Sequence, residues 1–255
     1  MLTRTKRLFR HLLFRMGYDL HRVRDEPYQL LLPETRLELR FRHVLASYLY
    51  HQNPSDFFFI QVGAFDGVRC DPIHAFVQRH RWSGVLLEPR AEAFARLVET
   101  YRGQPQLQLL NAAISDRPGR RTLYSFDTQD LPDWSEGVAS FDRGVLAKHE
   151  HEARMPVLGS RIREEEVECV TFEQILEPLH WPKVDLLQVD AEGYDAHVVD
   201  LVPFERGKPA IIHFECKHLS KAELQACLER LASLGYVFAR DGFEDMIACL
   251  AVIEA

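Results

Sequence analysis

The sequence is poor in cysteine and contains no clustered cysteine motif. Five cysteines occur in 255 residues, and no two of them form a Cys-x-x-Cys pair. Structural zinc sites and disulfide frameworks both depend on closely spaced cysteines, so neither is expected here. Scattered free thiols are typical of proteins in a reducing compartment, and we expect the protein to be cytoplasmic.

Long hydrophobic runs are also missing. No stretch approaches the ~20 apolar residues that a membrane-spanning helix needs. The amino terminus is basic, but its short apolar runs are interrupted by Arg10, His11 and Arg15, and no convincing cleavage site follows. Neither a membrane span nor a signal peptide is therefore expected.

Acidic residues outnumber basic ones outside the first 24 residues. The formal net charge is −7, of which residues 1–24 contribute +6 and the remainder −13. Nucleic-acid binding needs a basic surface that displaces counterions from phosphates. An acidic body therefore argues against nucleic acid as a partner.

The basic amino terminus has the pattern of an amphipathic helix over residues 2–16, with arginines between apolar positions. One interpretation is a peripheral contact with the anionic inner face of a membrane through residues 1–24. The other, which we favour, is packing on the body or on a second subunit of a homo-oligomer, because amphipathic helices are common in soluble proteins. A second helix is predicted over Arg36–His51, so residues 1–54 form a helical extension.

The central feature of the remaining chain is a buried strand that ends in a glycine turn. The apolar run Phe57–Val62 predicts the strand, and Gly63 and Gly67 flank Asp66 in the turn that follows. Asp71-Pro72 is typical of a helix start. A strand, a glycine turn and a helix start form the usual cradle for a nucleotide-like ligand in an open α/β sheet.

The same unit recurs along the chain and predicts an α/β fold with a Rossmann-like sheet of seven strands. An Asp241-Gly242 turn indicates that the last two strands form an antiparallel hairpin. We predict one domain over residues 55–255, in which residues 127–163 lack periodicity and form a lid-like insert. The other predicted strands are Gly84–Glu88, Gln106–Ile114, Val184–Val189, Pro209–Cys216, Tyr236–Arg240 and Met246–Ile253, with Arg121–Phe126 as an extra edge strand.

Several stretches between residues 55 and 253 resemble the FkbM-type family of S-adenosylmethionine-dependent methyltransferases. The resemblance implies the class I methyltransferase fold and O-methylation of a hydroxyl on a sugar, a polysaccharide or a natural product. The Asp-x-Glu-Gly block that begins at Asp190 is its most specific part. The matching stretches are Ile60–Gly67, Val85–Pro89, Asn111–Ser115, Val184–Asp195, Ile212–Glu215 and Asp245–Ala248.

The resemblance also implies which residues bind S-adenosylmethionine. Glu88, after the second strand, is placed to accept hydrogen bonds from the ribose hydroxyls. Gly63 and Gly67 let the chain wrap the amino-acid end, with Asp66 or Asp190 near the ammonium group. The matched stretches add Gln61, Pro89, Ala112 and Ala113 to the expected cofactor site.

Methyl transfer to a hydroxyl also needs an oriented oxygen and an acceptor for its proton. Asp190 and Glu192 follow the fourth strand, and alternation places His213 and Glu215 on one face of the fifth. These four are the candidate catalytic residues, either as a general base or as carboxylate ligands of Mg²⁺. The alternative is structural, because carboxylates at strand ends often cap the next helix.

His149-Glu150-His151, in the insert, offers two imidazoles to a metal ion. It lacks the i, i+4 spacing of the helical zinc motif. A solvated lid is therefore the favoured interpretation, in which His149 could still contact the acceptor.

The sequence argues against two other function classes. A nicotinamide-dependent oxidoreductase needs Gly-x-Gly-x-x-Gly after the first strand, but Phe65 and Val68 stand at the second and third glycine positions. A catalytically inactive protein that binds membrane surfaces would be expected to have lost its cofactor loop. Gly63, Asp66 and Glu88 are all in place, so this class is the least favoured.

Overall fold

The computed structural model describes residues 39–50, 52–153 and 155–251. Its strands, in chain order, are β1 (Phe58–Val62), β2 (Ser83–Leu87), β3 (Leu107–Leu110), β4 (Ala113–Ile114), β5 (Gly119–Phe126), β6 (Ala139–Ser140), β7 (Ile162–Val170), β8 (Leu186–Val189), β9 (Ile211–Glu215), β10 (Tyr236–Asp241) and β11 (Asp245–Leu250). Its helices are α1 (Phe41–Tyr50), α2 (His74–His80), α3 (Ala91–Thr100), α4 (Arg143–Ala153), α5 (Phe172–Leu176), α6 (Asp195–Asp200) and α7 (Lys221–Ser233).

The main sheet has seven strands in the order β10-β11-β9-β8-β1-β2-β3. β1 lies at its centre and pairs in parallel with β2 and β8, so that Ile60 stands opposite Val85 and Leu187. β11 alone runs antiparallel to its neighbours β9 and β10, and the hairpin turns at Gly242 with φ +69°. This arrangement confirms the predicted α/β class I methyltransferase fold with its C-terminal antiparallel hairpin.

Both faces of the main sheet are covered, which explains why its central strands are almost continuously apolar. One face packs on α5, α6 and α7 through residues such as Ile60, Leu187 and Ile212. The other packs on α1, α2 and α3 through residues such as Phe59 and Leu186. Capping boxes begin α5 and α7, at Thr171 and Ser220.

The first described helix, α1, packs directly on the main sheet. Phe41 and Leu45 are buried in the same cluster as the β1 residue Phe59. The Tyr48 hydroxyl donates a hydrogen bond of 2.6 Å to Asp185 Oδ1. The helix predicted over residues 2–16 lies outside the described residues. No helix in the described ranges is both long enough and apolar enough to cross a membrane.

A second sheet has four strands in the order β4-β7-β5-β6. Two of the expected strands belong to this sheet in whole or in part, and not to the main sheet. The strand predicted over Gln106–Ile114 is broken at Asn111, whose side-chain amide donates to the backbone oxygens of Glu88 and Pro89. The chain therefore leaves the main sheet after β3, and β4 pairs with β7. The expected edge strand Arg121–Phe126 lies in β5, which pairs along its length with β7 and not with the main sheet.

The insert over residues 127–163 is more ordered than its lack of periodicity predicts. It contains β6 and α4 together with two short 3-10 helices. A small apolar cluster of Phe126, Val138, Leu146 and Leu158 holds it together. Because these residues come from several short elements, their spacing carries no single period.

Candidate functional site

A cavity of about 670 Å³ opens at the carboxyl ends of β1, β2, β8 and β9. The chain passes from β1 to β2 and β3 on one side and later returns to place β8 on the other side of β1. Such a reversal of strand order is where ligands bind in open α/β sheets. The second sheet and the insert complete the wall. Of the residues predicted from the sequence, the cavity is lined by Gln61, Gly63, Glu88, Pro89, Ala112, Ala113, Asp190, Glu192 and Glu215.

The glycine turn after β1 brings the ends of two strands together. Gly63 has φ +79°, and a Cβ at this position would lie only 1.8 Å from the backbone oxygen of Asp190. The backbone nitrogens of Gly63 and Ala64 both donate to the oxygen of Leu87, at 3.0 and 2.9 Å. The absence of a side chain at position 63 is therefore what allows the β1 turn to lie against the end of β8.

Asp66 and Gly67 shape this turn and are not among the described residues that line the cavity. Asp66 Oδ1 accepts hydrogen bonds from the backbone nitrogens of Val68 and Arg69, and its Oδ2 lies 2.7 Å from Arg69 Nε. Burial opposes ionisation of Asp66, but these bonds outweigh it and lower its pKa. A Cβ at Gly67, where φ is +73°, would lie 2.6 Å from the Tyr101 ring.

Glu88 is buried at one end of the cavity, with 4% of its surface exposed. Its Oε2 accepts from the backbone nitrogen of Phe65 at 2.9 Å, and its Oε1 from that of Arg90 at 3.0 Å. Burial raises the pKa of Glu88, and the charge of Arg90 opposes this effect. Arg90 Nε also donates to Oε1, at 3.4 Å. An ionised carboxylate offers about four acceptor positions, so three hydrogen bonds leave capacity for one ligand hydroxyl.

The other end of the cavity gathers the carboxylates of Asp190, Glu192 and Glu215. Asp190 is exposed to the cavity, and desolvation by the surrounding protein and the negative charges of Glu192 and Asp195 raise its pKa. For Glu215, burial and the repulsion of Glu192 and Asp190 raise the pKa to about 11. A cation nearby would favour the ionised forms of these acids, so this end of the cavity suits a positively charged ligand.

The backbone of the turn after β8 is held by one buried side chain. Asp195 accepts hydrogen bonds of 2.9 Å from the backbone nitrogens of both Ala191 and Gly193. Glu192 between them has φ +47°, an unusual conformation for a residue with a side chain. The Ser140 hydroxyl donates to the Glu192 backbone oxygen at 2.7 Å. Asp195 is thus a structural cap, and it directs the Glu192 side chain.

Two histidines lie beside Glu192. His149 was expected in a solvated lid, and His218 was not among the residues predicted from the sequence. Glu192 Oε2 is 3.1 Å from His218 Nε2 and 3.7 Å from His149 Nε2. Burial opposes ionisation of Glu192, but the contacts with the two rings lower its pKa to about 2. His149 is buried, contrary to the solvated position expected for it. His218 follows the end of β9 by three residues, and that position is the only signal by which the sequence could have revealed it.

His213 lies apart from the cavity, unlike the other catalytic candidates. Its ring stacks on Phe41, with centroids 4.0 Å apart and an angle of 8° between the planes. Its Nδ1 lies 2.7 Å from Gln188 Oε1, and burial lowers its pKa to about 3. Alternation does place His213 and Glu215 on one face, but α1 covers that face at His213, whereas Glu215 reaches the cavity.

Aromatic rings form much of the remaining wall, and the sequence analysis assigned them no role. Phe65, Trp134, Phe141 and Tyr194 all line the cavity. The Arg121 guanidinium lies 4.0 Å from the centre of the Phe141 ring and donates to the Tyr194 hydroxyl at 2.8 Å. These rings come from both sheets and from the insert, so the cavity combines apolar walls with charged ends.

Comparison with known proteins gives one family match. The model of the Methyltransferase FkbM domain matches residues 61–238. No curated protein sequence matches the chain significantly.

Three solved structures with a similar fold share little sequence with this chain. A methyltransferase FkbM from Methylobacillus flagellatus KT has 8% identity and a TM-score of 0.47, with 84% of this chain and 48% of that chain covered. This chain thus spans about half the length of that protein. The N-terminal domain of human METTL16 in complex with SAH has 13% identity and a TM-score of 0.40, with 94% and 79% covered. The precorrin-6y C5,15-methyltransferase from Geobacter metallireducens GS-15 has 14% identity and a TM-score of 0.38, with 82% and 86% covered.

Proposed function

Because the chain belongs to the FkbM methyltransferase family, we propose that it transfers a methyl group from S-adenosylmethionine to a hydroxyl oxygen of a sugar, a polysaccharide or a natural product. The observation that carries this proposal is one cavity with the buried acid Glu88 at one end and three carboxylates at the other. The family match disfavours both the nicotinamide-dependent oxidoreductase and the inactive membrane-binding protein.

The residues at the Glu88 end fit the cofactor. Glu88 has acceptor capacity left for a ribose hydroxyl, and Gly63 allows the Asp190 end of β8 to lie against the turn after β1. Gln61 Oε1 lines the same wall, is buried, and has no hydrogen-bond partner within the described residues. Asp190 and its neighbouring acids suit the ammonium and sulfonium charges. Pro89, Ala112 and Ala113 complete the wall between these ends.

The acid end supplies the remaining requirements of the reaction. Bound S-adenosylmethionine would supply a methyl group on a positively charged sulfur. Glu215 is the proposed proton acceptor, because it lines the cavity and its Oε2 has no hydrogen-bond partner in the part of the chain that the structure describes. Its raised pKa opposes this role, but the positive charge of bound S-adenosylmethionine would favour the ionised carboxylate. A carboxylate that accepts the proton of the acceptor hydroxyl contributes typically 10²–10⁴-fold in rate.

The walls between the two ends indicate the class of acceptor. Rings such as Trp134, Phe141 and Tyr194 offer flat apolar surfaces, while the carboxylates accept hydrogen bonds from hydroxyl groups. A sugar or a natural product presents both an apolar face and hydroxyl groups. The cavity therefore suits such a molecule better than a long charged polymer.

The proposal is tested by incubating the protein with isotopically labelled S-adenosylmethionine and fractionated glycans and lipids. We expect label in a product whose mass and alkali-stable linkage identify a methyl ether. Glu215→Gln preserves shape and should reduce turnover by about 10²-fold or more while changing cofactor affinity little. Near-native turnover in this variant would remove Glu215 from the mechanism. Failure of calorimetry to detect binding of S-adenosylmethionine to the native chain would overturn the proposed function itself.

A further inference from the structure

Two imidazole rings and one carboxylate converge at the wall of the cavity. The Nε2 atoms of His149 and His218 and a carboxylate oxygen of Glu192 all lie within 4.8 Å of one another. The three residues come from separate parts of the chain: α4, the segment after β9 and the turn after β8. No pattern of spacing in the sequence could have brought them together.

The three atoms are buried and lie at ion-pair distances from one another, but none makes a well-aligned hydrogen bond in the described chain. The side chains of His218, His149 and Glu192 are 3%, 10% and 17% exposed. Within the described ranges, His149 Nε2, His218 Nε2 and Glu192 Oε2 each lack a hydrogen bond of acceptable geometry. Buried polar atoms without partners are costly and call for an explanation such as an unseen ion.

We propose that His149, Glu192 and His218 bind one divalent transition-metal ion. The separations fit this assignment, because ligands at about 2.0–2.1 Å from a tetrahedral metal stand roughly 3.3–3.4 Å apart. Glu192 Oε2 lies 3.1 Å from one imidazole nitrogen and 3.7 Å from the other. The ligand nitrogens of the two imidazoles lie within 4.8 Å of each other.

Surrounding residues hold the proposed metal-binding side chains in place. The strained turn at Glu192 is stabilised by the two hydrogen bonds to Asp195 and by the Ser140 hydroxyl. The His149 ring is stacked by Trp134, with centroids 5.7 Å apart. Ligands that are pre-positioned by surrounding contacts lose little conformational freedom when the ion binds.

The donor set selects the type of metal. Two imidazoles and one carboxylate suit zinc, iron, cobalt or nickel, whereas Mg²⁺ prefers oxygen ligands alone. Three protein ligands leave one position open, as in catalytic zinc sites. Since His149 and Glu192 line the cavity, that position faces the space assigned to the acceptor. There the ion would bind and polarise the acceptor oxygen, a role that rests on the proposed function, whereas metal binding does not.

The direct test is titration of the metal-free, full-length chain, without an affinity tag, with Zn²⁺ in a calorimeter. We expect one ion per chain. His149→Gln and His218→Gln should each weaken binding by about 100-fold or more, since even residues that only support a ligand contribute 10–100-fold. The control is His43→Gln, an exposed position on α1, which should bind Zn²⁺ as the native chain does.

A second measurement uses the native chain, so its result does not depend on whether a variant folds. Co²⁺ bound to the native chain should give the intense visible absorption of four-coordinate cobalt, and Zn²⁺ should displace it. Less than 0.1 ion per chain in native protein, or equal affinity in the native chain and a folded His218→Gln variant, would overturn the proposal. S-adenosylmethionine binding is measured separately, so loss of cofactor binding with intact metal binding points to failure of the proposed function alone.

Discussion

At the scale of single residues, Glu88 illustrates how one side chain serves both the fold and a ligand. Its two oxygens accept from the backbone nitrogens of Phe65 and Arg90, which fixes the turns after β1 and β2. The same carboxylate lines the cavity at the place where the ribose is proposed to lie. A substitution there must therefore be judged by stability and by affinity together.

We expect Glu88→Ala to weaken S-adenosylmethionine binding roughly tenfold or more, because a hydrogen bond to a charged group contributes about 1.5–3 kcal/mol. Calorimetry measures the affinity, and urea unfolding measures the accompanying loss of stability. Glu92→Ala is the matched control, since Glu92 is an exposed acid on α3 that contacts Arg163 at the surface. Unchanged affinity in a folded Glu88→Ala variant would show that this acid does not hold the ribose.

His213 leads to a prediction about pH. Its pKa is lowered to about 3 in the folded protein by burial, whereas an unfolded chain has a histidine pKa of about 6.5. Between these values the unfolded state binds a proton that the folded state does not. Stability should therefore fall as the pH falls below about 6.5, by about 1.4 kcal/mol per pH unit.

The measurement is urea unfolding at pH 7 and pH 5 of the native chain and of His213→Phe, which keeps an aromatic ring against Phe41. The native chain should lose about 2 kcal/mol more than the variant over this interval, while His43→Gln should follow the native chain. Parallel losses in the native chain and in His213→Phe would contradict a buried, neutral His213.

At the scale of elements, the turn after β1 decides how closely two strand ends approach. Gly63 and Gly103 have nearly the same backbone conformation, with φ +79° and +77°. At Gly63 a Cβ would lie 1.8 Å from the Asp190 backbone oxygen, whereas at Gly103 no atom of the described chain lies within 4 Å. Substitutions at Gly63 and Gly103 therefore separate the stability lost to the left-handed backbone conformation from the stability lost to the steric contact with Asp190.

We expect Gly103→Ala to cost about 1–2 kcal/mol, the penalty of a left-handed conformation for a residue with a side chain. Gly63→Ala should cost a further 1–3 kcal/mol or more, because the added carbon forces the strand ends apart. It should also abolish cofactor binding, which Gly103→Ala leaves intact. Urea unfolding and calorimetry on both variants provide the comparison, and equal losses would show that the turn tolerates a side chain.

At the scale of the whole molecule, the charge is divided between a basic amino terminus and an acidic body. Residues 1–24 carry +6 and the remainder −13. The amphipathic helix predicted in this segment, outside the described residues, remains a proposal, either as a membrane contact or as a contact with the body or a second subunit.

Deletion of residues 1–24 separates these possibilities. If the segment contacts membranes, sedimentation with anionic liposomes should fall markedly, and more so at low ionic strength, because charges on a surface are screened by salt. Cofactor binding should be unchanged. Equal sedimentation of both chains would leave packing or self-association as its role, which analytical ultracentrifugation would then detect as a change in mass.

Local patterns in the sequence determined much of this protein. The apolar runs before Gly63 and Glu88 predicted β1 and β2 because a strand's pattern depends on neighbouring residues. The order of strands and helices, with the closing hairpin, predicted the class of sheet. The tertiary structure decided the rest. Only the path of the chain brings His218 and His149 to Glu192, covers His213 with Phe41, and moves β5 into a second sheet. Distances between residues far apart in sequence are set by how whole elements pack, and no local periodicity encodes them.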